Sequence, residues 1–409
     1  MNLSTMIMPC NSAGPYNVSV TQPWALVDYD WSNWKGTGSA DGWAKHKPMD
    51  CEELMVKQVG MTTEVAPHAR VFVYRNMIKA LPWFTTVRDK LTDPAYAPWF
   101  MNFSDAVIAD HSVAHVPVCD DNYDPPLCSN LYHDQDQTPG YPGGDGNCAA
   151  PACDVGTVPI GEYLFEHRNA NVSINNQTLV EWFIEEYLAG PNGLGHPEIS
   201  GLYIDDDWGN MNPNGPSEMN EYAMADMGLG SGELADIVTA YNWVANQAYH
   251  AIVEKGKYVW DLFLNNDPNC INCGDCPQPW VKRDTCAADL RAYGVNETSP
   301  MSTHAFLYGF SPGSCHRDGG LNPANLTEVE EDVANFLLIR GDYAYLGTGW
   351  TGCHDDYEFP ADVLNADYGE PMGRANETAP ESGVFVREYT KASIQMDCNT
   401  YTPTVTFKH

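Results

Sequence analysis

Three consecutive acids close the segment Gly201-Leu202-Tyr203-Ile204-Asp205-Asp206-Asp207-Trp208, the sharpest chemical constellation in the chain. The residues before the acids are apolar or aromatic, as a buried strand requires. Period-two alternation sends Leu202 and Ile204 to one face and Gly201, Tyr203 and Asp205 to the other, while Asp206 and Asp207 open the following loop. Hydrolysis of a glycosidic bond uses two carboxyl groups across the bond, one giving a proton and one acting as nucleophile or base. Asp205 or Asp206 is the expected nucleophile or base. The expected proton donor is Glu166, in Tyr163-Leu164-Phe165-Glu166-His167-Arg168-Asn169, where charged neighbours at a strand end can tune a carboxyl group. Plainer readings exist for the same residues: acids after a strand also cap a helix or bind calcium, and Glu166 also forms an ion pair with Arg168.

Further side chains are expected to line a substrate cleft. Asp28 and Asp30 share one strand face, Arg75 and Asn76 end another strand, and His167, Asp261 and His304 fall on or near strand ends. Trp208 and Trp350 are expected as flat platforms for a sugar ring. A lone acid in an apolar strand, such as Asp261, also serves buried hydrogen-bond networks.

Positioning these groups requires strands whose carboxyl ends meet. Strand patterns cover 24–31, 70–76, 162–167, 201–206, 257–264, 302–310 and 343–346, and helical patterns over 51–59, 77–91, 177–188, 232–255 and 327–340 fall between most of them. Alternating strands and helices build a parallel sheet with helical crossovers. Strands that end in polar or charged residues favour a (β/α)8 TIM-type barrel over a doubly wound sheet. Seven strands are legible, and the eighth is expected within 104–118, around Ala106-Val107-Ile108-Ala109. Residues 1–23 read as an N-terminal extension and 24–366 as the barrel, with cysteine-rich loop insertions at 111–160 and 265–286. Residues 367–409 read as a small antiparallel β element.

Composition narrows the setting. Lys plus Arg number 21 against 55 Asp plus Glu, a formal net charge of −34, which repels phosphate backbones and anionic lipid. Nucleic acid and inner-leaflet membrane are poor partners; a saline or mildly acidic medium, or a cationic or neutral substrate, suits such a charge. No run of apolar residues is long enough for a transmembrane helix. The 13 cysteines sit mostly in loop-like stretches, which fits an oxidising compartment, and the odd count leaves one thiol free or paired outside the chain. Sequons at Asn2, Asn17, Asn102, Asn171, Asn176, Asn296, Asn325 and Asn376 point to a secreted or cell-surface glycoprotein. The first twenty residues lack a basic region and an apolar run, so a secretion signal is expected to have been removed from this numbering or lost by truncation.

Metal readings are weaker. Cys270, Cys273, Cys276 and Cys286 resemble the start of an iron–sulfur or zinc pattern, but their last spacing departs from it, and disulfides are expected instead. Asn210-x-Asn212-x-Asn214-Gly215 with Glu221 mimics a calcium loop, with Asn in place of the first Asp and Pro213 inside it. No cofactor is expected; a structural calcium ion in that loop is the minor alternative. His133-Asp134-Gln135-Asp136 reads either as a metal or substrate contact or as a solvated loop.

The stretches Val27-Asp28-Tyr29-Asp30-Trp31-Ser32-Asn33, 70–83, 132–139, 161–169 and 201–208, with Asp367-Tyr368-Gly369-Glu370-Pro371 and then Gly383-Val384-Phe385-Val386-Arg387-Glu388, span most of the chain. In these the chain resembles secreted, cysteine-containing glycoside-hydrolase-like barrel proteins of algae and other protists. The resemblance implies a (β/α)8 barrel with a small C-terminal β element and a carboxylate pair, without specifying the sugar. The expected function is hydrolysis of an extracellular or cell-wall polysaccharide. The alternative is a non-catalytic lectin-like or matrix glycoprotein on the same scaffold.

Overall fold

Leu26-Val27-Asp28-Tyr29 is buried at every position, and so is 71–76, the pattern of strands covered on both faces of a parallel sheet. In a computed structural model of the chain the described residues are 5–8, 14–35, 42–43, 49–102, 131, 162–206, 208, 229–261, 281–297, 299, 306–309, 329–342, 344–350, 363 and 365–408. The strands, in chain order, are β1 (Thr5–Met8), β2 (Leu26–Tyr29), β3 (Arg70–Asn76), β4 (Lys79–Ala80), β5 (Tyr163–Leu164), β6 (Ser173–Ile174), β7 (Gln177–Thr178), β8 (Ile199–Asp205), β9 (Tyr258–Asp261), β10 (Phe306–Gly309), β11 (Ala344–Trp350), β12 (Asn376–Glu377), β13 (Val384–Glu388), β14 (Ala392–Asp397) and β15 (Thr402–Phe407). The helices are α1 (Cys51–Val65), α2 (Thr85–Leu91), α3 (Leu179–Trp182), α4 (Ser231–Glu254), α5 (Cys286–Asp289) and α6 (Val329–Ile339). Among the described residues no helix is long and apolar enough to cross a membrane.

The main sheet has seven strands in the order β10-β11-β1-β2-β3-β8-β9, and all its pairs are parallel. Read around a circle, this is chain order, with the first strand paired to the last. A pairing of β9 with β10 is not among the described ladders. The sheet is strongly curled. Arg70, the first residue of β3, donates from Nη1 to Tyr345 Oη of β11 at 3.0 Å, and its guanidinium lies 4.6 Å from the ring centroid of Tyr258 on β9. Four strands separate β9 from β11, so a flat sheet would hold them roughly 24 Å apart, farther than one guanidinium bridges between two tyrosines. The Arg70 face is therefore the concave one. Phe72, also on that face, stacks on Tyr258 and fills the space beside Gly201, where a Cβ would meet the Phe72 ring at 2.5 Å. A glycine in the middle of β8 is what lets the ring occupy the interior.

Two sequence expectations change here. The N-terminal segment is not simply an extension, because β1 lies in the sheet between β11 and β2; Thr5-Met6-Ile7-Met8 is too short to show a period among polar neighbours. The segment 162–167 is not a strand of the parallel sheet. Only Tyr163 and Leu164 form β5, antiparallel to β4, and Phe165 packs on Phe100, Trp182 and Phe183. Its apolar run is satisfied by an aromatic layer and not by strand neighbours. The stretch 104–118, the insertion 111–160 apart from Leu131, and residues 265–280 of the second insertion lie outside the described residues.

The chain ends in an antiparallel sheet, β12-β13-β14-β15. Its strands alternate inward Phe385, Ile394 and Met396 with more polar outward residues, and the inward face packs on α6. Arg387 donates to the carbonyls of Leu337 and Arg340 at the carboxyl end of α6, where a cation suits the helix dipole, and Tyr389 Oη donates to Leu337 O at 2.7 Å. The disulfide Cys286–Cys398 ties α5 to the loop after β14.

Candidate functional site

The site is built on the concave face at the carboxyl ends of β2, β3 and β8. Asp28 pairs in register with Phe72, Tyr74 with Tyr203, and Asn76 with Asp205, so these side chains share one face. Asp206 follows Asp205 and in a continuing strand would point away from it. Instead Asp206 adopts φ +61°, a left-handed conformation that Asp tolerates better than most residues. Both carboxyl groups are thereby brought to the same side. Asn76 fixes the second one: its Nδ2 donates to Asp206 Oδ2 and to Tyr74 Oη, while its Oδ1 accepts from the backbone N–H groups of Ile78 and Lys79 at 2.9 and 2.7 Å. That turn delivers Lys79, whose Nζ lies 2.8 Å from Glu162 and 3.5 Å from Asp206. The β4–β5 pair, with Lys79 opposite Leu164, holds Glu162 in place.

The electrostatics separate these acids. Burial, then the adjacent Asp206, pushes the Asp205 carboxyl well above the ordinary range. Asp30 is raised by burial even though it accepts from Ser32 N and Oγ. Asp28 is fully buried, neither of its oxygens has a hydrogen-bond partner among the described residues, and burial, Asp30 and Asp205 all raise it well above the carboxylate range. By contrast Asp206 faces donors, Asn76 and Lys79. Two adjacent acids in unlike surroundings are the arrangement that divides acid and base roles.

Beside the acids stands a tryptophan cluster. Trp31 is half-buried, with ring centroids 4.9 Å from Trp83 and 5.8 Å from Trp43, and Lys35 Nζ lies 5.0 Å above it. The Trp31 carbonyl accepts from Trp43 Nε1 and Cys51 Sγ, which fixes its backbone. Burial pulls the Lys35 ammonium down to about 8 against the opposing pull of Glu162 and Asp30.

Of the residues singled out from sequence, Asp28, Asp30, Asn76, Asp205 and Asp206 converge here. Glu166 does not join them. Both its oxygens are held by Arg168, and no described contact links it to Asp205 or Asp206, so the plain ion-pair reading holds. Arg75 lies on the opposite face of β3, because the residue after Tyr74 must point to the helices. There it pairs with buried Glu52 at 3.3 Å and donates to the carbonyls of Tyr187 and Asn192. His167 is a core residue: Nε2 donates to Met77 O at 2.7 Å, and the ring stacks on Phe183. Trp208 is wholly buried and offers no platform. Asp261 ends β9 in register with Ile204, and Trp350 ends β11 in register with Met8. His304, Asp207, the His133–Asp136 stretch and the calcium-like loop lie outside the described residues.

Glu162, Lys79, Lys35 and Trp31 were not legible as site residues. The one available signal is the Asp30-x-Ser32 spacing, which forms an Asx turn and carries the chain from β2 into the tryptophan cluster. Among the described residues no group of three or more His, Cys, Asp or Glu side chains is arranged to hold a metal ion. Cys286 is disulfide-bonded, so it is not a metal ligand, and Cys51 is a free, buried thiol. The described sequon residues Asn17, Asn102, Asn171, Asn176, Asn296 and Asn376 are all exposed.

No protein-family model matches the chain, and no curated protein does. Among solved structures it is similar to sucrose 6F-phosphate phosphorylase from Thermoanaerobacter thermosaccharolyticum, at 10% identity and a TM-score of 0.41, with 99% of this chain and 95% of that one covered. It is also similar to the native form of the Nostoc punctiforme debranching enzyme, at 9% identity and a TM-score of 0.40, covering 93% of this chain and 77% of that one.

Proposed function

We propose that the chain is a secreted glycoside hydrolase whose curled sheet closes into a TIM-type barrel. Asp205 is the proton donor and Asp206 the nucleophile or base. The observation that carries this reading is the left-handed turn at Asp206, which sets two carboxyl groups on one concave face in unlike surroundings. Asp205 holds its proton through burial and the neighbouring charge, as a general acid must near neutral pH. Asp206, met by Asn76 and Lys79, is oriented for attack on the anomeric carbon or for activation of water. Glu162 acts through Lys79 as a positioning group, and Trp31 is the platform for a sugar ring. Closure of the barrel is supported by the cyclic strand order and by Arg70 reaching both Tyr258 and Tyr345. Secretion is supported by the disulfide and the exposed sequons.

The test is a hydrolysis screen on extracellular and cell-wall polysaccharides with wild type, Asp205→Asn and Asp206→Asn. Both variants are expected to lose turnover by about 10²-fold or more. Only Asp205→Asn should be partly spared on aryl glycosides, whose leaving groups need little protonation. Full activity in both variants would place the site elsewhere, and a wild type that binds glycans without cleaving any would favour the lectin-like alternative.

A further inference from the structure

Asp28 stands apart from the other acids. It lies on the concave face of β2 with no exposed surface, and neither oxygen has a hydrogen-bond partner among the described residues. Among the described residues nothing around it is placed to hold a charge. On its own strand is Asp30; β3 presents Phe72 in register with it and Tyr74 beyond; β8 presents Tyr203 and Asp205; β1 contributes apolar Met8. Lys35 and Lys79 serve Asp30, Glu162 and Asp206, and no cation acts on Asp28 among the described residues. Leaving a bare carboxylate in such a place costs far more than binding a proton there.

We propose that the folded protein carries Asp28 as the neutral carboxylic acid, a buried proton store at the floor of the site, so that folding takes up a proton that the unfolded chain does not hold. The store lowers the negative charge beneath Asp205 and Asp206 and makes the fold favour an acidic medium, in keeping with the net charge of −34. Its raised carboxyl agrees, with burial as the main cause. The sign follows from linkage. A group whose folded value lies above its unfolded value stabilises the fold fully below the unfolded value, and that contribution is lost as pH rises. The inference holds whichever reaction the site performs.

The test compares unfolding of wild type and Asp28→Asn, which keeps shape and removes the proton site. Calorimetry near pH 6 in buffers of different ionisation enthalpy should show wild type releasing about one more proton on unfolding than the variant. The Tm difference should move in favour of Asp28→Asn as pH is raised from 4 to 8. Asp28→Ala, smaller and also uncharged, gives the same comparison if the amide variant does not fold. Equal proton release, or a Tm difference independent of pH, would overturn the proposal. So would a calcium-dependent stabilisation of wild type that Asp28→Asn lacks, because Asp28 would then be an anion holding a cation.

Discussion

Asn76 Nδ2 donates to Asp206 Oδ2 across the ends of β3 and β8, so the side chain that closes one strand holds the left-handed residue that leaves the other. The same asparagine accepts from Ile78 and Lys79 N–H groups and so shapes the turn that carries Lys79. Asn76→Ala removes the donor and the turn acceptor together and leaves buried N–H groups unpaired. A stability loss of about 1–3 kcal/mol is expected in urea unfolding. Asn76→Asp keeps the turn acceptor but sets an acid against Asp206, so its deficit should grow as pH rises through the carboxylate range, whereas the Ala deficit should not.

Glu162 and Glu166 lie four residues apart, and it is Glu162, to which the sequence gives no role, that reaches the acids through Lys79, while Glu166 stays with Arg168. Glu162→Gln weakens the anchor of Lys79 and, through it, the placement of Asp206. Turnover of any glycan substrate should fall, with kcat affected more than KM. Glu166→Gln breaks an ion pair with Arg168 that is two residues away in sequence and partly exposed, so glycan turnover should stay within a few-fold of wild type. A larger loss for Glu166→Gln than for Glu162→Gln would return the acid role to Glu166.

How much was legible follows from how local each signal was. The bounds of β3 and the acid-tipped β8 were readable because Val71-Phe72-Val73-Tyr74 and Leu202-Tyr203-Ile204 are continuous β-branched, aromatic or aliphatic runs. Asp28, Asp30 and Asp205 follow from strand alternation alone. Arg75 is excluded by the same alternation, since in β3 Asn76 and Arg75 must face opposite sides and Arg75 turns to Glu52. Glu162 and Lys79 were hidden because their meeting depends on a two-residue antiparallel pair between segments far apart in sequence. Trp31 and Lys35 were hidden because the loop that folds them over Trp43 and Trp83 has no periodicity to read.

Arg75 and Glu52 form a buried pair between β3 and α1, and Glu52 also accepts from Thr86 N and Oγ1 at the start of α2. Arg75→Met leaves the Glu52 carboxylate buried without its cation. Removing one partner of such a pair costs about 3–5 kcal/mol, to be read from denaturant unfolding. Adding Glu52→Gln should recover part of that loss, since the uncompensated charge is then gone. Independent, additive losses would show that the two residues are not coupled.

His167 gives the fold an acid limit that opposes the effect of Asp28. Its imidazole is buried, donates to Met77 O, stacks on Phe183 and meets the Tyr241 ring edge-on, and burial pulls it from the ordinary value down to about 4. A group whose folded value is depressed stabilises the fold above its unfolded value, near 6.5, and loses that contribution as pH falls toward 4. Across that window the loss amounts to about 3 kcal/mol, because the unfolded chain takes up a proton that the buried ring refuses. His167→Gln cannot take up that proton in either state. The variant should be less stable than wild type at pH 7, through lost packing on Phe183, and its deficit should shrink steadily between pH 6.5 and 4. Unfolding of wild type near pH 5 should bind about one proton more than unfolding of the variant. A deficit that stays constant across this range would mean that His167 is already charged, or free to charge, in the folded protein.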